Sequence, residues 1–174
     1  MEIQLGDCGC HVETACLNGI LKGGEEIFMD CPEGLEFFEE CAEDECVVLE
    51  KTIYGLVQSA RAYFKKCVGV LKEIGFKQSE ADPCLFVRRN ELGIVYMAIW
   101  ADDCLCIGDK QALDDAIEQF GKHFNLKLEY SLQDYLSCEI LFDDECNKAW
   151  IGQPHLIKKI ENEFGDLVKK LPKY

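Results

Sequence analysis

Ile94-Val-Tyr-Met-Ala-Ile-Trp-Ala-Asp-Asp-Cys-Leu-Cys-Ile107 is the stretch on which the fold turns. A run rich in β-branched and aromatic residues ends at Trp100, Ala101-Asp102-Asp103 interrupts it, and Cys104 to Ile107 resumes it, so two short strands fold about a tight turn. Two carboxylates therefore stand at or beside the bend. Upstream, Cys84-Leu-Phe-Val-Arg-Arg89 is another β-rich run, joined to Ile94 by Asn90-Glu-Leu-Gly93, a link suited to an antiparallel hairpin. Downstream, Leu113, Ala116, Ile117, Phe120 and Phe124 recur at helical spacing, and Asp109 stands where it would cap that helix.

Further out, Tyr63, Phe64, Cys67, Val68, Leu71 and Ile74 form one helical stripe, ended by Gly75. Small and apolar residues between Gly6 and Leu17 predict a buried strand, with turn chemistry following at Asn18-Gly19 and Lys22-Gly-Gly24. Residues Glu33 to Glu50 carry eight carboxylates and no Lys or Arg, which predicts an exposed acidic insertion. Leu126 to Tyr130 and Cys138 to Phe142 read as strands, and Ala149 to Gly152 pairs after the turn at Asp143 to Lys148. Ile157, Ile160, Phe164 and Leu167 or Val168 mark a C-terminal helix within 153–171. This order predicts an α+β fold: an antiparallel, ferredoxin-like sheet with helices on one face.

With 174 residues, 48% hydrophobic and 29% charged, and 4 prolines, the chain reads as a single domain over 1–174. No stretch reaches the roughly 18 apolar residues of a membrane span, and the N-terminus lacks the pattern of a signal peptide. The net charge of -15 repels a phosphate backbone, which disfavours autonomous nucleic-acid binding. Without a secretory signal, the 12 cysteines are expected to be thiols in a reducing compartment.

Adjacent aspartates at a turn raise each other's pKa unless a cation holds them, and their hard oxygens favour Mg²⁺ or Mn²⁺. Taken alone, the pair also reads as an ordinary solvent-exposed turn. The surrounding blocks change that weighting. Thr14-Ala-Cys-Leu-Asn-Gly19, Ile27-Phe-Met-Asp-Cys-Pro-Glu-Gly34, Leu49-Glu-Lys-Thr-Ile-Tyr-Gly-Leu-Val-Gln-Ser-Ala-Arg61, Gly75-Phe-Lys-Gln-Ser-Glu-Ala-Asp-Pro-Cys-Leu-Phe86 and Trp100-Ala-Asp-Asp103 occur in order. Together they closely resemble the reverse transcriptase of copia-type (Ty1/copia) retrotransposons, and the likeness extends over most of the chain.

The resemblance implies a polymerase palm, an RNA-directed DNA polymerase in which three carboxylates hold two Mg²⁺ ions. Asp102 and Asp103 match the two aspartates of the family's Tyr-Val-Asp-Asp, with Trp100 and Ala101 replacing Tyr and Val. Gln58 lies where the family's Gln contacts the incoming nucleotide, Arg61 matches the Arg of the same block, and Ala60 replaces its Pro. The first catalytic block departs further: the family has Asp-Val-Lys-Thr-Ala-Phe-Leu-Asn-Gly, and this chain has His11-Val-Glu-Thr-Ala-Cys-Leu-Asn-Gly19. His11 thus occupies the place of a catalytic Asp. An imidazole supplies neither the negative charge nor the bridging oxygens that hold two Mg²⁺ about 4 Å apart. Glu13 and Asp7 lie too far along the strand to replace that carboxylate. Cys16 replaces the bulky Phe that excludes a ribose 2′-hydroxyl, so the nucleotide gate is expected to be lost. The chain starts ten residues before this block, so the family's basic fingers are expected to be missing, as are RNase H and integrase.

The leading expectation is a palm domain that no longer polymerises, with Mg²⁺ or Mn²⁺ bound only if activity remains. A second reading is a recruited non-catalytic subunit of a larger assembly. Its protein partner would meet the acidic segment 33–50 or a sheet edge, with Lys158, Lys159, Lys169, Lys170 and Lys173 as an opposite pole. A third places Cys8, Cys10 and His11 beside Cys104 and Cys106 as a zinc or copper site, against the plain alternative that buried cysteines are small hydrophobes.

Overall fold

Strand alternation sorts the hairpin's residues onto two faces, and every later feature of the site follows from that sorting. The computed structural model describes residues 5–21, 26–34, 45–130, 133–142 and 148–169. Strand β1 (Leu5–Val12) leads to a 3₁₀ turn (Ala15–Asn18), followed by β2 (Phe28–Asp30), β3 (Cys46–Val48) and helix α1 (Ser59–Glu73). Next come β4 (Lys77–Gln78), β5 (Leu85–Asn90), β6 (Gly93–Trp100), β7 (Asp103–Asp109) and helix α2 (Lys110–Gly121). The chain continues through β8 (Leu126–Tyr130), β9 (Asp134–Tyr135), β10 (Cys138–Phe142), β11 (Ala149–Gly152) and helix α3 (Pro154–Lys169).

The main sheet has the order β4-β5-β6-β7-β1-β8, and each neighbouring pair is antiparallel. The fold is α+β, as the order of elements predicts. Opposed residues share a face. Cys8, Cys10 and Val12 of β1 therefore join Cys104 and Cys106 of β7, Val95, Met97 and Ile99 of β6, and Phe86 of β5, all buried. Helices α1 and α2 close over this face with Tyr63, Cys67, Val70, Leu71, Leu113, Ala116, Ile117 and Phe120. The predicted stripe of α1 is corrected in detail, because Val70 is buried while Phe64, Val68 and Ile74 are only partly covered.

Ring stacking couples the two helices above the sheet. Phe124 meets Phe120 at 4.9 Å between centroids and Tyr63 edge-on at 6.1 Å. Arg88, 4% exposed, extends from β5 under the helices and donates to the Ile74 and Ala112 carbonyls and the Asp115 carboxylate.

Two expectations are corrected here. Asp109 precedes α2 but makes no side-chain cap; its Oδ2 instead accepts a hydrogen bond from the Ile94 backbone N–H at 2.7 Å. The cause is the β6–β7 register, which brings the start of β6 against Asp109 where Gly93, at φ +135°, leaves room that a Cβ would fill. The segment from Glu33 to Glu50 is not wholly irregular either, because Cys46–Val48 pairs with Phe28–Asp30 in a two-stranded ribbon. Residues 35–44 of that segment lie outside the described residues, as do the Lys22-Gly-Gly24 turn, most of the 143–148 turn, and Lys170 and Lys173.

The three-stranded sheet β11-β10-β9 and α3 stand apart from the core cluster, with Leu141, Trp150, Ile151, Leu156, Ile157, Ile160 and Phe164 all substantially exposed. No helix among the described residues is long and apolar enough to cross a membrane.

Candidate functional site

The same alternation that buries Cys10 and Cys104 turns their neighbours His11 and Asp103 to the opposite face, which neither α1 nor α2 covers. His11 and Asp103 are direct cross-strand partners in the β1–β7 register. Their side chains meet: His11 Nδ1 lies 3.0 Å from Asp103 Oδ1 and 3.9 Å from Asp102 Oδ2. Ligand atoms of His11, Asp102 and Asp103 all lie within 4.8 Å of one another, and among the described residues they form the one such group of His, Cys, Asp and Glu.

The turn is held on both sides. Trp100 and Asp103 pair across it, and the Val12 N–H donates to the Asp102 carbonyl at 2.8 Å, binding the tip to the end of β1. Ala101 takes φ +50° in this turn, a conformation that costs an L-residue roughly 1–2 kcal/mol and is normally left to glycine. All three site side chains are between a third and a half exposed, so the donors are open to solvent.

A cleft of about 360 Å³ opens beside His11 and Asp103, with Lys127, Glu129, Asp134 and Tyr135 in its wall. Lys127 faces His11 across the β1–β8 register, so Asp103, His11 and Lys127 form a row over three strands. Burial pushes the Tyr135 phenol above its ordinary range, with smaller upward contributions from Cys104, Asp103 and Cys106. Sequence reasoning missed Lys127, Asp134 and Tyr135 as site residues. The parity of β8 relative to β1 would have found Lys127, whereas the two-residue β9 carries no periodic signal.

The other predicted residues lie elsewhere. Cys16 sits half-exposed in the 3₁₀ turn after β1, its carbonyl accepting from the Thr52 hydroxyl. Gln58 is at the N-terminus of α1, and with Arg61, Lys65 and Lys66 it lines a second cleft of about 400 Å³ that does not include His11 or Asp103. Glu13 is outside the His11 group, in a small cleft with Thr14 and Asn18.

The thiol constellation is corrected. Cys8, Cys10, Cys104 and Cys106 point into the core and His11 points away from it, because neighbours on a strand face opposite sides. Sγ separations of 3.9 Å link Cys8 to Cys10 and Cys10 to Cys106, yet no three thiols gather within ligand distance among the described residues. Contact with Cys10 and burial push the Cys8 thiol up, contact with Cys106 does the same for Cys10, and burial alone dominates for Cys104. All four are buried core residues.

A profile of the family described as "Reverse transcriptase (RNA-dependent DNA polymerase)" matches residues 9–173. The chain belongs to that family. This reverse-transcriptase domain is 30% identical over 156 residues, 88% of its length, to the retrovirus-related Pol polyprotein from transposon TNT 1-94 of Nicotiana tabacum. It is 33% identical over 129 residues, 74% of its length, to the Pol polyprotein from transposon RE2 of Arabidopsis thaliana. It also shares 31% identity over 108 residues, 62% of its length, with the putative transposon Ty5-1 protein YCL074W of Saccharomyces cerevisiae. These relatives make the domain a copia-type reverse transcriptase by descent. It spans 11% and 9% of the two plant polyproteins and 34% of the yeast protein. No solved structure matches it. Reverse-transcriptase domains use divalent metal ions. The donor set here, one imidazole and two carboxylates, does not fit a pair of Mg²⁺ ions, which requires bridging oxygens on hard ligands.

Proposed function

We propose that this chain is a polymerase palm that has lost nucleotidyl transfer. The observation that carries the reading is His11 Nδ1 at 3.0 Å from Asp103 Oδ1, an imidazole standing where the third carboxylate of a two-metal site would stand. The connectivity supports the palm: β1, α1, β6, β7, α2 and β8 follow one another in sequence while the strands lie in the order β6-β7-β1-β8, which is the split βαβ, ferredoxin-like arrangement. In this reading Asp102 and Asp103 are the surviving catalytic and metal-binding carboxylates. Gln58, Arg61 and Cys16 are remnants of the nucleotide site, Cys16 at the gate.

Two physical terms oppose catalysis. Without a bridging carboxylate, neither the attacking hydroxyl nor the triphosphate is clamped in line, and the net charge of -15 repels template and primer. The test is primer extension on an RNA template with Mg²⁺ and with Mn²⁺. The expected result is no extension above that of Asp102→Asn; extension that Asp102→Asn abolishes overturns the reading.

A second reading, a non-catalytic subunit of a larger protein assembly, draws on the apolar residues that β10, β11 and α3 leave exposed, Trp150, Ile151 and Ile157 foremost at 53%, 73% and 56%. Elution of the endogenous protein in a large stable complex supports it, and elution near the chain's own 19.8 kDa counts against it.

A further inference from the structure

We infer that His11, Asp102 and Asp103 form a mononuclear site for a borderline transition ion of the Zn²⁺ or Co²⁺ kind, one that prefers such an ion to Mg²⁺. The inference deepens the proposed function, resting on the reading that the two-metal site is gone, and it states what the remaining donors select.

The geometry suits one small ion. Nitrogen and oxygen ligands about 2.0–2.2 Å from a tetrahedral Zn²⁺ stand about 3.3–3.6 Å from each other. The His11 Nδ1 separations of 3.0 Å from Asp103 and 3.9 Å from Asp102 bracket that value, so small side-chain rotations close the site. In the metal-free protein the 3.0 Å contact is a hydrogen bond, with a proton between the imidazole and the carboxylate. A metal ion replaces that proton, and Nε2 then carries the ring hydrogen.

The donor chemistry sets the preference. Imidazole binds Zn²⁺, Co²⁺, Ni²⁺ and Cu²⁺ far better than Mg²⁺, which demands oxygen ligands and gives up its water reluctantly. Two carboxylates balance the ion's charge, and among the described residues lining the adjoining cleft Glu129 and Asp134 outnumber the single lysine, Lys127. Three protein ligands would leave a fourth position for water, the arrangement of an exchangeable rather than a closed structural site. The buried thiols do not compete from the same place, because β1 and β7 send them to the other face of the sheet.

The experiment is a Co²⁺ titration of the full chain under reducing conditions, followed by visible and near-ultraviolet absorption. The parent protein should bind one Co²⁺ with the weak visible bands of nitrogen and oxygen ligation and no strong sulfur charge-transfer band. His11→Ala and Asp103→Asn should each weaken binding by at least about 100-fold, since losing a direct ligand costs no less than the upper end of what losing an outer-shell partner costs. Mg²⁺ in large excess should displace Co²⁺ from His11→Asp but not from the parent. Circular dichroism of all three variants separates lost ligation from lost folding. A dominant sulfur band, an affinity unchanged in His11→Ala, or displacement from the parent by Mg²⁺ at comparable concentration overturns the inference. Primer extension by the parent overturns the proposed function instead, whatever the Co²⁺ titration gives.

Discussion

Phe120→Ala should lower the stability of the domain by about 3–5 kcal/mol, the usual cost of emptying a fully buried aromatic site. Phe120 is 0% exposed and its ring lies 4.9 Å from that of Phe124, which in turn meets Tyr63 of α1. Truncation therefore removes both the buried area and the aromatic pairing that joins α2 to α1, the latter about 0.5–1.5 kcal/mol on its own. Natural domains of this size are stable by about 5–15 kcal/mol, so a large share would be lost. Urea denaturation followed by circular dichroism reads the change as a lower midpoint at constant slope. A shift under about 1 kcal/mol would show that the helices do not depend on this ring for their seat on the sheet.

Arg88→Ala should cost about 3 kcal/mol, and Arg88→Met distinctly less. The guanidinium is almost wholly buried, donates to the Ile74 and Ala112 carbonyls and to Asp115, and lies 5.5 Å from the Phe76 ring centroid. Alanine leaves those acceptors facing a cavity, whereas methionine fills the space and asks for no partner. Asp115 is a third exposed and regains water when its partner leaves, which keeps the figure below that of a fully buried pair. The hydrogen bond from Gln119, then Arg88, holds the Asp115 carboxyl below its ordinary value. Its contribution is therefore present at neutral pH and lost as pH falls below the usual carboxylate range. Equal destabilisation by alanine and methionine would assign the role of Arg88 to its charge rather than its volume.

The residues that decided the fold were legible because β-rich composition and a 3.6-residue period survive in them. Ile94 to Trp100 reads as one β-rich run, whose two faces, Val95, Met97 and Ile99 against Tyr96 and Trp100, emerge only with the fold, whereas Leu113, Ala116, Ile117 and Phe120 declare one stripe. Arg88 was not legible, since a lone Arg in a strand carries no sign of whether a neighbouring helix will bring it an acid and two carbonyls. Asp109 shows a local rule overruled by tertiary structure: the residue stands at the cap position, but the β6–β7 register offered its carboxylate a nearer donor. The place of His11 was legible through the block it occupies, but its separation from Cys8 and Cys10 was not drawn from the sequence, where nearness along the chain grouped them and the parity of β1 was overlooked. The adjoining cleft was not legible, because Tyr135 reaches it from a strand too short to leave a pattern.

The sulfur-lined core has a practical consequence. Cys8, Cys10, Cys67, Cys104 and Cys106 are 0–2% exposed, while Cys46 lies at the surface and Cys16, Cys31, Cys84 and Cys138 are partly open. Burial also pushes Cys67 up to about 12, so the thiolate that an alkylating reagent attacks is scarce as well as shielded. Exposure to such a reagent should divide the ten described cysteines into a prompt class and a delayed one. The delayed class reacts only when helices and sheet part, so its rate is a clock for opening of the core, built into the chain by its own composition.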